Sequence, residues 1–335
     1  MINIFDTTLR DGEQSIGFLM SKNQKLQILE KLCEIDVFNT IELGMPVASI
    51  EDQQVFYEAS RMKVNKTIAA LSRLKRQDII LTATLLNDFS HSRIQLLCIG
   101  SELHLKKKRK LTYQEALREL NDSLHLLKNL EFSGTVSLIF EDASRGEHTF
   151  IFSQIDLALK YGIRNVVIAD TVGCFLPYKA FDFIKKIVKN YPQLNISVHF
   201  HNDLGLATAN TLCAIKAGAK EIQTTLGGIG ERCGNCPVEE VLACLKYEEK
   251  KNNFDIKSVV SAIDYMYDVL GKQIDVRKPI VGQHAFATCA GIHQDGINKC
   301  PEIYEFMHPE VFGRQRKFVN NRLSSNKLQD TSYVL

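Results

Sequence analysis

The run Val198-His199-Phe200-His201-Asn202-Asp203 places two histidines at i and i+2 at the end of an apolar stretch. Side chains alternate along a β-strand, so His199 and His201 point the same way. Two imidazoles on one face form half of a divalent-metal site. A cation that acts on a substrate needs several N or O ligands at close range, with positions left open. Asp11, in Asp6-Thr7-Thr8-Leu9-Arg10-Asp11-Gly12-Glu13-Gln14, offers the missing carboxylate, and Asn235 offers an amide oxygen. The plainer alternative is a pair of hydrogen-bonded strand-end histidines that bind no ion. Arg10, beside Asp11, either stabilises an oxyanion formed near the metal or makes a structural salt bridge. Gln14 suits a substrate carboxylate or keto group, and surface polarity explains it nearly as well.

Other residues compete for attention. Gly227-Gly228-Ile229-Gly230-Glu231-Arg232-Cys233-Gly234-Asn235 is dense in glycine, which lets backbone approach a ligand or adopt positive φ. Cys233 and Cys236 have the C-x-x-C spacing of redox and zinc motifs, but no second pair accompanies them. His293, in Gly291-Ile292-His293-Gln294-Asp295-Gly296, is a candidate general base or an ordinary structural histidine. Lys106-Lys107-Lys108-Arg109-Lys110 resembles a nucleic-acid patch. It lacks interleaved aromatics in a near-neutral chain, so a solvated loop is the expected reading.

Positioning these groups requires a scaffold. Strands are predicted at 2–5, 40–43, 67–71, 94–99, 135–140, 165–168, 195–199 and 221–225. Amphipathic helical stretches between them include 22–33, 113–127, 150–161, 178–189 and 206–217. Eight strands each followed by helix-like sequence predict an α/β fold, a (β/α)8 barrel. A doubly wound sheet is the alternative, but it calls for a Gly-rich phosphate turn after the first strand, which residues 6–14 are not. In the barrel, Asp11 follows strand one, Glu141 and Asp142 strand five, and Asp170 and Thr171 strand six. His199 and His201 end strand seven, and the Gly-rich loop follows strand eight. All these loops then meet at the C-terminal face, where barrel catalysis sits. The expected division is a catalytic barrel over 1–255 and a short, mainly helical C-terminal subdomain over 256–335, with a helix at 256–270, a charged connector at 246–253, a polar tail from 314 and no regulatory domain.

The 335 residues, 45% hydrophobic and 24% charged with net charge +2, suit a soluble globular protein with no field that draws it to nucleic acid or membrane. No apolar run is long enough to span a bilayer, and no signal peptide is evident. Nine scattered cysteines suggest reduced thiols in the cytoplasm.

Taken together, DTTLRDGEQ (6–14), IELGMP (41–46), EDASRG (141–146), ADTVG (169–173), HFHNDLGLATANTLCAIKAGA (199–219), GIGERCGN (228–235), GIHQDGINK (291–299) and YEFMHPEVFG (304–313) resemble the metal-dependent, acyl-CoA-condensing family of TIM barrels. That family includes homocitrate synthase, 2-isopropylmalate synthase, citramalate synthase and the related lyases. The motifs run in order through nearly the whole chain. The resemblance implies Mg²⁺, Mn²⁺, Zn²⁺ or Co²⁺ held by Asp11, His199 and His201, with Asn235 close by or coordinating. It implies acetyl-CoA as co-substrate, a 2-oxo acid chelated by the ion, and hydrolysis of the resulting thioester. His293 with Tyr304 would remove the acetyl methyl proton, Glu141 would orient that base, and Arg10 would stabilise negative charge. Thr171 and Gln14 would contact the 2-oxo acid. Among members, EDASRG, ADTVG, SRLKRQDI (72–79) and KPIVG (278–282) favour the nitrogen-fixation type of homocitrate synthase, acting on 2-oxoglutarate. Its distal carboxylate would need a cationic partner, with Arg73 and the 106–110 run as sources. The alternative is 2-oxoisovalerate or pyruvate, a branched aliphatic group needing apolar lining. A lyase using Cys233 or Cys236 and a non-catalytic barrel are the remaining readings. A cytoplasmic homodimer is expected.

Overall fold

The computed structural model describes residues 2–248, 254–321 and 323–324 of the chain, which splits after Val238 into two compact units. In the first unit, strands and helices alternate strictly. The order is β1 (Asn3–Asp6), α1 (Lys22–Cys33), β2 (Phe38–Gly44), α2 (Ile50–Ala59), β3 (Thr67–Arg73), α3 (Arg76–Leu86), β4 (Ser92–Ile99) and α4 (Tyr113–Asn129). It continues with β5 (Thr135–Glu141), α5 (His148–Lys160), β6 (Asn165–Asp170), α6 (Pro177–Asn190), β7 (Asn195–Phe200), α7 (Ala207–Ala217) and β8 (Glu221–Thr224). The eight parallel strands close on themselves, with β1 pairing β8 from Asn3↔Glu221 to Asp6↔Thr224. Closure rules out the doubly wound alternative, whose sheet is open.

Local sequence explains the boundaries. Ser21 and Thr112 start α1 and α4 with reciprocal capping boxes to Gln24 and Glu115. Pro177 opens α6, where its missing N–H costs nothing. Gly218 ends α7 at φ 114°, a conformation that favours glycine. The strands are buried almost throughout because one face meets the helices and the other fills the lumen. At the N-terminal end, Arg93 of β4 donates Nη1 to both carboxylate oxygens of Glu221 of β8 at 2.7 and 2.9 Å.

The second unit holds the rest of α8 (Val238–Glu248), then α9 (Ile256–Val269), α10 (Gly291–Lys299) and a two-stranded parallel ribbon of β9 (Ala287–Thr288) with β10 (Lys317–Phe318). Its apolar centre includes Phe312, fully buried and stacked on Phe286 at 5.4 Å. Arg314 clamps Asp264 of α9 through two bonds of 2.7 and 2.8 Å.

One expected loop is instead helical. His104–Arg109 forms a turn of π-helix, ended by Lys110 in the left-handed region at φ 54°. Crowded positive charge should oppose this, but Lys106 pairs with Glu102, Lys108 with Glu141 and Arg109 with Glu119. Of the polar tail, residues 317–318 form β10, while Arg322 and everything from 325 onward lie outside the described residues, as do 249–253 of the charged connector.

Candidate metal centre at the barrel mouth

Asp11 sits where the chain leaves β1 and turns tightly, its N–H and that of Gly12 both donating to the Thr7 carbonyl. The turn is fixed from beneath. Thr8 donates its hydroxyl to Asp6 at 2.8 Å and accepts the N–H of Leu226 at 2.9 Å, tying the β1 loop to the β8 loop. Burial pushes the Asp6 carboxyl up to about 7, although the two Thr8 hydrogen bonds work the other way. Farther out, Lys25 of α1 is buried between Glu13 at 2.6 Å and Asp52 of α2 at 2.7 Å, which pins the far end of the same loop.

The fold brings all four sequence-derived ligand candidates to one oxygen. Asp11 Oδ2 lies 2.8 Å from His199 Nε2, 3.8 Å from His201 Nε2 and 3.1 Å from Asn235 Nδ2, with Arg10 Nη1 at 3.4 Å. Candidate ligand atoms of Asp11, His199 and His201 lie within 4.8 Å of one another, and all three residues are buried. Burial opposes ionisation of Asp11, but Arg10, His199 and His201 outweigh it and hold the carboxyl far below the ordinary carboxylate range. Burial, reinforced by His199, pushes His201 down to about 4. The centre therefore presents a carboxylate and a neutral imidazole at neutral pH, which is the state a cation requires of its ligands.

Two buried atoms mark the centre as a fit for an ion. Asn235 Oδ1 and His201 Nδ1 have no hydrogen-bond partner among the described residues, and buried polar atoms are rarely left so. Asn235 is held by an isolated bridge to His201 and backed by Gly230, where a Cβ would lie 2.7 Å from Asn235 Oδ1. Gly227 and Gly228 adopt φ 64° and 71°, so the Gly-rich loop uses its glycines for left-handed backbone. Arg232 joins three loops, pairing with Asp203 at 2.6 and 2.9 Å and donating to the Thr171 carbonyl at 2.8 Å.

The other site candidates have definite places. Arg10 is nearly buried and donates Nε to Glu42 at 2.7 Å, so it makes its salt bridges while facing the centre. Thr171 Oγ1 accepts the N–H of Asp142 at 2.8 Å, and Gln14 is exposed on the turn after Asp11. Glu141, at the end of β5, contacts His104 Nδ1 at 3.1 Å and Lys108 at 2.7 Å. Arg73, at the end of β3, turns to Asp78 at 2.5 Å. In the second unit, His293 and Tyr304 are exposed and stacked with ring centroids 4.1 Å apart. Gly296 permits this, since a Cβ there would lie 2.5 Å from the Tyr304 ring. The C-x-x-C cysteines part company: Cys233 is exposed, while Cys236 is buried and accepts from Thr211 Oγ1 at 3.2 Å.

Sequence reading missed Glu42, Gln95, Gln223 and His104. A glutamine interrupting the apolar run Ile94-Gln95-Leu96 was the available signal, because a polar residue on a barrel strand needs a partner in the lumen. Leu71, the register partner of Gln95, forms a buried apolar cluster with Ile139, Val167 and Ala169, and Met45 and Leu97 pack against it. Ala169 is in register with His199.

Fold and centre define a (β/α)8 barrel with a buried Asp–His–His site at its C-terminal face. The chain belongs to the HMGL-like family, whose model matches residues 1–266; a second match, homocitrate synthase post-HMGL domain-like, covers 280–328. It is 35% identical to a 2-isopropylmalate synthase of Aquifex aeolicus over 93% of this chain and 61% of that one. It is 34% identical to methylthioalkylmalate synthase 3, chloroplastic, of Arabidopsis thaliana over 93% and 65%. The chain thus spans somewhat under two thirds of these relatives. The hydroxymethylglutaryl-CoA lyase of Pseudomonas aeruginosa shares the fold, with a TM-score of 0.68 at 19% identity over 82% of this chain and 94% of that one.

Proposed function

We propose that this chain is an acyltransferase that condenses acetyl-CoA with a 2-oxo acid and hydrolyses the thioester, and that the acid carries an uncharged aliphatic side chain. Asp11, His199 and His201 would hold a divalent cation with Asn235 beside them; once bound, it would polarise the keto group of the 2-oxo acid. Arg10 faces the same point and supplies fixed positive charge for oxygen as it becomes negative. Thr171 and Gln14 are assigned to contact the 2-oxo acid. The stacked His293 and Tyr304 are assigned to take the acetyl methyl proton. The carbon nucleophile so formed attacks the keto carbon, and water then cleaves the thioester to release CoA.

The observation that carries the substrate class is the apolar cluster of Leu71, Leu97, Ile139 and Ala169 on strands continuous with His199. Arg73 and Lys108, the cations that a distal carboxylate would need, are already bound to Asp78 and Glu141. The names of the relatives support the same reading. A second reading, condensation with 2-oxoglutarate as in homocitrate synthase, draws on the match over 280–328. We further place the protein in the cytoplasm as a homodimer; no disulfide joins any of its nine cysteines, and no described helix is long and apolar enough to cross a membrane.

Rates of CoA release from acetyl-CoA with 2-oxoisovalerate, pyruvate and 2-oxoglutarate test the assignment. The aliphatic acids should give kcat/KM at least about tenfold above 2-oxoglutarate, the scale of discrimination an apolar pocket provides. A preference for 2-oxoglutarate would establish the second reading.

A further inference from the structure

Within the lumen, four side chains from four different strands form a hydrogen-bonded chain that runs in one direction and ends on a candidate metal ligand. Glu42 of β2 is its start. It is fully buried, and its Oε2 receives the Thr7 hydroxyl at 2.6 Å and Arg10 Nε at 2.7 Å. A guanidinium only donates, so Glu42 is the acceptor end. Its Oε1 receives Gln95 Nε2 of β4 at 2.7 Å. With its amide nitrogen committed, Gln95 presents its oxygen to Gln223 Nε2 of β8 at 2.8 Å. Gln223 in turn presents Oε1 to His199 Nδ1 of β7 at 3.0 Å. Reversing the amides would set an oxygen against the Glu42 carboxyl, so the order is fixed by that anchor. All four side chains are at least 96% buried.

The consequence falls on His199. An imidazole facing an amide oxygen through Nδ1 must donate there. Its Nε2, 2.8 Å from Asp11 Oδ2, is then the ring nitrogen that offers its electron pair to a cation. We propose that Gln95 and Gln223 are positioning residues that hold the proton of His199 on Nδ1 and aim Nε2 at the ion shared with Asp11. Partners of this kind commonly fix the tautomer and orientation of metal-bound histidines. This deepens the metal reading above and rests on it for the identity of the ion. It adds two glutamines, neither of which touches ion or substrate.

The test uses Gln223→Met, a change close to isosteric that removes the acceptor, alongside Gln223→Glu, which as the neutral acid donates to Gln95 Oε1 in place of the amide and keeps an acceptor for His199 Nδ1. Two readouts apply to purified full-length protein: NMR of the imidazole nitrogens in the metal-free state, and Zn²⁺ affinity by competition with a chelating dye. The wild type should prefer a His199 ring protonated on Nδ1, in the hydrogen bond to Gln223. Gln223→Met should lose that preference and bind Zn²⁺ about 10–100-fold more weakly, while Gln223→Glu should restore both. If Gln223→Met does not fold, Gln95→Met, which touches no atom of His199, decides by the same shift in proton position. A Gln223→Met protein with the proton still on Nδ1 and wild-type Zn²⁺ affinity overturns the proposal. Wild-type protein that binds no Zn²⁺ overturns the metal reading instead, and the NMR result still decides the relay.

Discussion

Asp11 Oδ2 and His199 Nε2 lie 2.8 Å apart, the first in the turn after β1 and the second on β7, strands that are separated in the barrel only by β8. Neither can satisfy the other unless a proton or a cation lies between them, because both are acceptors when Nδ1 holds the imidazole proton. Replacing Asp11 by Asn keeps the size and removes the charge. Divalent-ion affinity, measured by equilibrium dialysis with Mn²⁺, should fall by more than about 100-fold, beyond the 10–100-fold typical of an outer-sphere partner. Unchanged affinity would remove Asp11 from the ligand set.

Gly230 is predicted to be irreplaceable for a steric reason. A Cβ there would lie 2.7 Å from both Cγ and Oδ1 of Asn235. Its backbone is not among those at positive φ, so Gly230→Ala should fold, with the barrel melting within a few degrees of wild type. It should nonetheless bind Mn²⁺ about tenfold more weakly, as a displaced neighbour of the ion would. Full affinity in Gly230→Ala would show that Asn235 has no part in binding.

Lys25 holds the loop that carries Asp11 from its far end. Lys25→Met leaves Glu13 and Asp52 facing each other without their cation. Breaking a buried ion pair by removing one partner is costly, and since both carboxylates keep some exposure we expect about 2–3 kcal/mol of destabilisation in urea. A variant as stable as wild type would mean that the loop is held by its backbone turn alone.

The Asp6 carboxyl gives a signed pH dependence. Burial raises it from 3.8 to about 7, so the native state holds a proton that the unfolded state has lost between these values. Its contribution to stability is therefore present at acid pH and is lost as pH rises from about 4 through about 7. Asp6→Asn mimics the protonated form, and its amide can still bond Thr8. Relative to wild type it should be more stable at pH 8 than at pH 5, by about 1–3 kcal/mol from urea unfolding. The opposite order would place the Asp6 proton elsewhere.

His293 is expected to act on the proton and not on the ion. His293→Ala should leave Mn²⁺ affinity within about twofold, a change of under 1 kcal/mol. Deuterium exchange from the acetyl methyl of acetyl-CoA should disappear in the same variant. Retained exchange would transfer the base role to another residue.

Much of this was legible from side-chain periodicity. The i, i+2 spacing of His199 and His201 needed only a strand, and counting eight strands put Asp11 at the same end. The strand limits were approximate by a residue or two, because β-branched runs do not reveal where a ladder stops. What stayed hidden was the lumen. Glu42, Gln95 and Gln223 sit 53 and 128 positions apart in sequence, and only barrel closure reveals that they touch. The Lys106–Lys110 run read as a loop because its neutralising carboxylates, Glu119 and Glu141, arrive from α4 and β5.

The central claim is that the Asp11–His199–His201 centre supports condensation of acetyl-CoA with an aliphatic 2-oxo acid. Release of CoA thiol, followed with purified protein, Mn²⁺, acetyl-CoA and 2-oxoisovalerate, measures it directly. The account predicts steady thiol release that stops on addition of EDTA, returns with excess Mn²⁺, and is absent in His201→Ala. No thiol release with any 2-oxo acid, or release that continues in EDTA and in His201→Ala, would contradict it.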